Sequence, residues 1–114
     1  MRALLMPVDG PPREVDLPCG GGTRFMHSLR ALIGTRSAER IQVTSRWEAW
    51  LDEDGAAAGK PANQAATFLA HSFGFEFSLR GTVVIVELDK DTAVAALSQD
   101  QTSAILKRIR PLSA

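Results

Sequence analysis

Thr82 to Leu88 reads Thr-Val-Val-Ile-Val-Glu-Leu, with four consecutive β-branched apolar residues, Val83 to Val86, and no polar face among them. Such a run fits a central strand covered on both sides, so the chain must build a sheet around it. Shorter strand signals lie before it. Arg2 to Val8 is ended by the turn residues Asp9-Gly10-Pro11-Pro12, and Glu14-Val15-Asp16-Leu17 alternates as its hairpin partner. Arg40 to Thr44 and Trp47 to Asp52 form a second predicted hairpin around Ser45. Phe75, Phe77 and Leu79 alternate with Glu76, Ser78 and Arg80, as a half-buried strand would.

Three helices are expected between and after these strands. Thr23 can cap one running to about Ile33, with Phe25, Met26, Leu29, Leu32 and Ile33 on one face and Gly34 at its C-terminal end. Asn63 can cap a second, which runs to Phe73 and stops at Gly74. Ser98-Gln99-Asp100-Gln101 has capping-box spacing and opens a third through Ile105 and Ile109 to Arg110, before Pro111. Short links between about five or six strands favour a mixed, mostly antiparallel sheet with about three helices on one face, an α+β fold in a single domain over residues 1–114. A sheet bare on one face in a chain of 114 residues also makes a homodimer expected.

Composition narrows the setting. Thirteen Lys and Arg balance thirteen Asp and Glu, so no global field draws in nucleic acid or an anionic membrane. The single cysteine, Cys19, cannot form an internal disulfide, and no apolar run approaches the roughly 18 residues of a membrane span. A cytoplasmic protein is expected, without cofactor or metal.

Candidate sites are few. Trp47 to Asn63 places Asp52, Glu53 and Asp54 before Gly55, then an Ala/Gly run, then Lys60-Pro61-Ala62-Asn63. A calcium loop needs an acid five residues before its glycine and a glutamate six after it, but Trp50 and Pro61 stand there. The acids therefore read as a turn whose carboxylates splay into water. The helix start at Gly59–Asn63 is the better anion site, with Lys60 to neutralise and Asn63 and first-turn amides to donate. Cys19-Gly20-Gly21-Gly22-Thr23 precedes a helix start as well, but without the lysine and spacing of a phosphate loop. Trp47 and Trp50 face opposite ways on one strand, one for the core and the other for an exposed contact surface.

Polarity of charge raises a second possibility. Arg24, Arg30, Arg36, Arg40 and Arg46 stand against Glu39 alone in residues 24–46, whereas Glu48, Asp52, Glu53 and Asp54 make the next segment acidic. The arginines could contact nucleic acid, although no aromatic-interleaved basic strand accompanies them. His27 and His71 lack ligand spacing to any cysteine or carboxylate, and a Cys19–His27 pair is the one nucleophile that can be drawn.

The order Arg2–Pro7, Ile33-Gly34, Leu51-Asp52-Glu53-Asp54-Gly55, Gly59-Lys60-Pro61-Ala62-Asn63-Gln64-Ala65-Ala66, Arg80–Val86 and Leu97–Gln101 resembles a family of small uncharacterised domains carried by actinobacterial genomes, plasmids and phages. The resemblance covers nearly the whole chain and departs at Pro18–Gly22. It implies a mobile-element setting and joint structural roles for Asp54-Gly55, Asn63 and Gly81, with no activity to carry over. The expectation is a non-enzymatic binding or regulatory accessory protein. It grips a small anionic ligand or a protein partner through Asp54, Lys60, Asn63 and Trp50, with nucleic-acid binding and a small Cys/His hydrolase or transferase as alternatives.

Overall fold

The computed structural model describes residues 1–19 and 22–109. In chain order the elements are β1 (Arg2–Met6), β2 (Arg13–Asp16), α1 (Gly22–Ile33), β3 (Ala38–Gln42), β4 (Trp47–Asp52), α2 (Gln64–His71), β5 (Val83–Leu88), β6 (Val94–Ala95) and α3 (Gln99–Ile109). One sheet runs β2-β1-β5-β4-β3, with β6 paired to the end of β5 through Glu87↔Ala95 and Leu88↔Val94. Every pairing is antiparallel, and the apolar run centred on Val84 lies in the middle strand, flanked by β1 and β4. The α+β class follows directly. Among the described residues no helix is long and apolar enough to cross a membrane.

Helix placement differs from the expectation of a single covered face. Leu4, Met6, Trp47, Ala49, Val83 and Ile85 pack with α2 and α3, while Ala3, Leu5, Trp50, Val84 and Val86 pack with Phe25, Leu29 and Ile33 of α1. All six residues of β4 and all six of β5 are buried. The sheet is thus the middle of three layers, because alternate residues of its inner strands are apolar on both sides. The bare face that made a dimer expected is absent.

Both tryptophans are interior. Trp47 meets Phe73 edge-on at 5.2 Å on one side, and Trp50 meets Phe25 at 6.1 Å and 76° on the other. The expected exposed tryptophan does not exist. The predicted strand from Phe75 to Arg80 is also absent, apart from one bridge between Ala62 and Arg80. Gly74 and Gly81 at its ends take φ of +97° and +77°, and Leu79 N–H donates to Thr67 Oγ1 in place of a neighbouring strand. Strand β3 ends at Gln42 rather than Thr44, because the Thr44 hydroxyl accepts from the N–H groups of Arg46 and Trp47 and closes the turn. Thr23 lies inside the first turn of α1, and the expected end of the last helix at Arg110 falls outside the described residues.

Asn63 ties the layers together. It is 1% exposed, caps α2 by accepting from Ala66 N–H at 3.1 Å, and donates through Nδ2 to Met6 O of β1 at 2.9 Å and to Gly81 O at 3.0 Å. One amide thus serves a strand end, a helix start and the entry to β5. Asn63→Ala removes the side-chain donor from two buried carbonyls and leaves the helix uncapped. It should lower unfolding free energy by about 2–4 kcal/mol, read from urea denaturation. A loss below about 1 kcal/mol would mean that the tie is not structural.

Candidate functional site

The acidic turn is divided by burial. Glu53 and Asp54 are exposed, as carboxylates in a turn should be, but Asp52 is at the buried end of β4. Its Oδ2 meets Lys60 Nζ at 2.7 Å, while Oδ1 accepts from Thr35 Oγ1 at 2.8 Å and from Asp54 N–H at 2.9 Å. The Lys60 ammonium, then the Asp54 amide and the Thr35 hydroxyl, hold its carboxyl down at about 2. Arg80 Nη1 donates to Lys60 O and Gly81 N–H to Pro61 O, so the loop is stitched to the segment before β5. Gly81 is required there, since a Cβ at its φ of +77° would lie 2.9 Å from Lys60 Cδ.

Of the four residues expected to grip a ligand, Lys60 and Asn63 are therefore engaged in closing this loop, and Asp54 is exposed nearby. Trp50 lies in the layer between the sheet and α1.

A different feature emerges on the α1 side of the sheet. Register pairs Arg40 with Trp50 and Gln42 with Glu48, and Leu88 shares this face with Val84 and Val86. Arg40, Gln42, Glu48, Leu88 and Thr92 line a cavity of about 280 Å³. Glu48 is 4% exposed, yet its nearest cation, Arg40 Nη1, stands 3.9 Å from Oε2, beyond hydrogen-bonding distance. Its Oε1 and the neighbouring Trp50 Nε1 are both buried without a hydrogen-bond partner among the described residues. Burial pushes the Glu48 carboxyl up, against the opposing pull of Arg40 and the Trp50 indole.

The other buried carboxylates behave differently. Asp52 has three partners, and Glu87 accepts from Arg46 Nη2 at 2.8 Å and Ser98 N–H at 3.1 Å. Burial raises Glu87 as well, but the Ser98 amide and Arg46 outweigh it and its carboxyl is lowered. Only the third of these sheet carboxylates lacks a hydrogen bond of ordinary geometry. Thr92, at the same cavity, holds a left-handed φ of 60°. The Asp89 carboxylate fixes that turn by accepting from Asp91 N–H and Ala93 N–H. A β-branched residue there stores about 1–3 kcal/mol of strain.

The five arginines are all exposed but do not act as one patch. Arg40 and Arg46 face Glu48 and Glu87, and His27, Arg30 and Arg36 line a shallow surface cleft around the end of α1. Cys19 and His27 are exposed, and no hydrogen bond joins them. His71 Nε2 lies 3.1 Å from Phe77 O. No group of three or more metal-ligating side chains occurs among the described residues. Phe68 and Phe77 are 43% and 72% exposed.

A family model described as a domain of unknown function, DUF3846, matches residues 1–110. The chain belongs to that family. No curated protein and no solved structure matches it. The match spans all nine elements of the described residues, including those that line the Glu48 cavity and the loop from Asp52 to Asn63. That loop brings together the residues that the resemblance linked. Asn63 donates to Gly81 O, and a Cβ on Gly55 would lie 3.4 Å from Arg80 O.

The two carboxylates give opposite pH signatures in this DUF3846 domain. Asp52 is depressed below its unfolded value of 3.8, so its stabilisation is present above that value and is lost as pH falls toward 2. Asp52→Asn should flatten the loss of stability between pH 4 and 2 in chemical denaturation. Glu48 is raised above 4.5, so it favours folding more as pH falls through its folded pKa and opposes folding at neutral pH. Glu48→Gln should therefore stabilise the domain at pH 7 by about 1–2 kcal/mol, a rise of several degrees in Tm. A destabilised variant would show that the charge belongs to the architecture.

Proposed function

We propose that this DUF3846 domain is a non-enzymatic binding module, an accessory regulator of the phage or plasmid type, that takes its ligand at the Glu48 cavity. The supporting observation is the contrast among the sheet's buried carboxylates. Asp52 and Glu87 accept hydrogen bonds of ordinary length, while Glu48 Oε1 is buried without one and Arg40 Nη1 stands 3.9 Å from Oε2. A buried carboxylate without donors costs several kcal/mol, and a ligand that donates to it recovers that cost on binding. The strained Thr92 at the same cavity adds a second local cost at one place. A binding role needs only such pre-organised groups, whereas catalysis would need a nucleophile or an acid–base pair within reach of one another.

A second reading rests on Phe68 and Phe77. Phe68 lies one helical turn before His71, whose ring reaches the Phe77 carbonyl, so both exposed rings occupy one flank. That flank is suited to a protein partner. The nucleic-acid alternative is weaker on charge, because Arg40 and Arg46 face carboxylates and leave Arg24, Arg30 and Arg36 to carry it.

The test is a thermal-shift screen of small cations, small anions and neutral heterocycles on the wild type and Glu48→Gln in parallel. At least one class should raise the wild-type Tm by about 2 °C or more at millimolar concentration and leave the variant unmoved. Equal responses from both proteins across all three classes would rule out Glu48 as the anchor.

A further inference from the structure

We propose that the Glu48 cavity selects a neutral, planar heterocycle whose edge carries a hydrogen-bond donor beside an acceptor, the chemistry of a nucleobase. This inference rests on the binding reading above and narrows it to one ligand class.

Charge decides first. Arg40 and Glu48 stand 3.9 Å apart at the cavity, one positive and one negative. A cation drawn to Glu48 is repelled by Arg40, and an anion drawn to Arg40 meets the buried carboxylate. A neutral group with adjacent donor and acceptor satisfies both at once. Its N–H donates to the carboxylate and its carbonyl or ring nitrogen accepts from the guanidinium, whose side chain is 67% exposed and free to adjust. Carboxylates pair in this way with exocyclic amines of bases, and arginine pairs with their carbonyl and ring-nitrogen acceptors.

The remaining walls fit the same class. Gln42 lies directly across the β3–β4 ladder from Glu48, and its amide can both donate and accept along the ring edge. Leu88 supplies an apolar wall against which a flat ring can rest. The volume of about 280 Å³ is at the small end of ligand sites, large enough for one base and too small for an extended molecule. The adjoining cavity shares Gln42, Leu88 and Thr92 and adds Ser45, Arg46, Glu87, Asp89 and Lys90, a polar lining of balanced charge with room for a sugar attached to the base.

The Trp50 indole N–H is the reporter, since it is buried beside the Glu48 carboxylate, whose charge it favours without a hydrogen bond of ordinary geometry. Its resonance would be followed in ¹H–¹⁵N spectra during separate titrations with cytidine, guanosine, guanidinium chloride and sodium acetate. At least one nucleoside should move it saturably, with affinity falling tenfold or more in Glu48→Gln and in Arg40→Ala. The two simple ions should not saturate it. A mixed single-stranded octamer separates the two sources of a base. Tighter, Glu48-dependent binding of the octamer assigns a base carried on a strand, and weaker binding assigns the free nucleoside. Saturation by guanidinium or acetate instead would overturn the ligand class while leaving a Glu48 binding site standing. Silence from all probes at Trp50 would overturn both. Arg40 is on the surface, so its variant keeps the test valid if Glu48→Gln were misfolded.

Discussion

A sheet covered on both faces leaves its inner strands no solvent side, and this constraint governs every polar residue on them. Strands β4 and β5 are buried along their whole length. Any charge placed there is forced out of water and must find donors or remain costly. Glu48, Asp52 and Glu87 are the three carboxylates caught in this way. Their differing fates separate carboxylates whose partners hold the fold from one whose Oε1 is left without a hydrogen bond.

Asp52 and Asn63 hold the fold together. The long connection from β4 to β5 must return the chain to the centre of the sheet, and it has little secondary structure beyond α2. Asp52 fastens its start through Lys60 and Thr35, and Asn63 fastens its middle to β1 and to Gly81. Side-chain amides and carboxylates here replace the ladder bonds that a strand from Phe75 to Arg80 would have made. Polar residues in this connection are structural because each one answers a backbone group that nothing else reaches.

Much of this was legible in the sequence. The β-branched run of β5 fixed the central strand, Gly34 marked the end of α1, and Asn63 as a helix cap was read from its position before an apolar repeat. The site was not. Glu48 alternates with Trp47, Ala49 and Leu51 and so lies on the opposite face of the strand, the one expected to offer an exposed contact surface. Trp50 shares that face, however, and a tryptophan two residues from a glutamate marks it as buried. Period-2 alternation tells which residues share a face, but only the covering layer tells which faces meet water. That layer, α1, was assumed to be on the other side. Asp89-Lys90-Asp91 reads as the turn after β5 and the chain does turn there, but the left-handed φ of Thr92 and the two-residue strand β6 carried no signal, because Asp89 imposes that conformation through side-chain bonds.

Two separate costs meet at one cavity, and each has an inexpensive remedy. Glutamine at position 48 would remove the buried charge with almost no change of shape, and glycine at position 92 would relax the turn. A fold that places a donor on nearly every other buried polar atom among the described residues, including four hydrogen bonds and the Lys60 ion pair on Asp52 and Glu87, does not lack the means to do so at Glu48. Arg40 is already within 4 Å and could close the gap by a small rotation, since most of its side chain is in solvent. That it remains beyond hydrogen-bonding distance leaves the carboxylate with capacity for a donor from outside. Pre-organised, unsatisfied polarity of this kind is how a rigid small domain can gain affinity without moving its backbone.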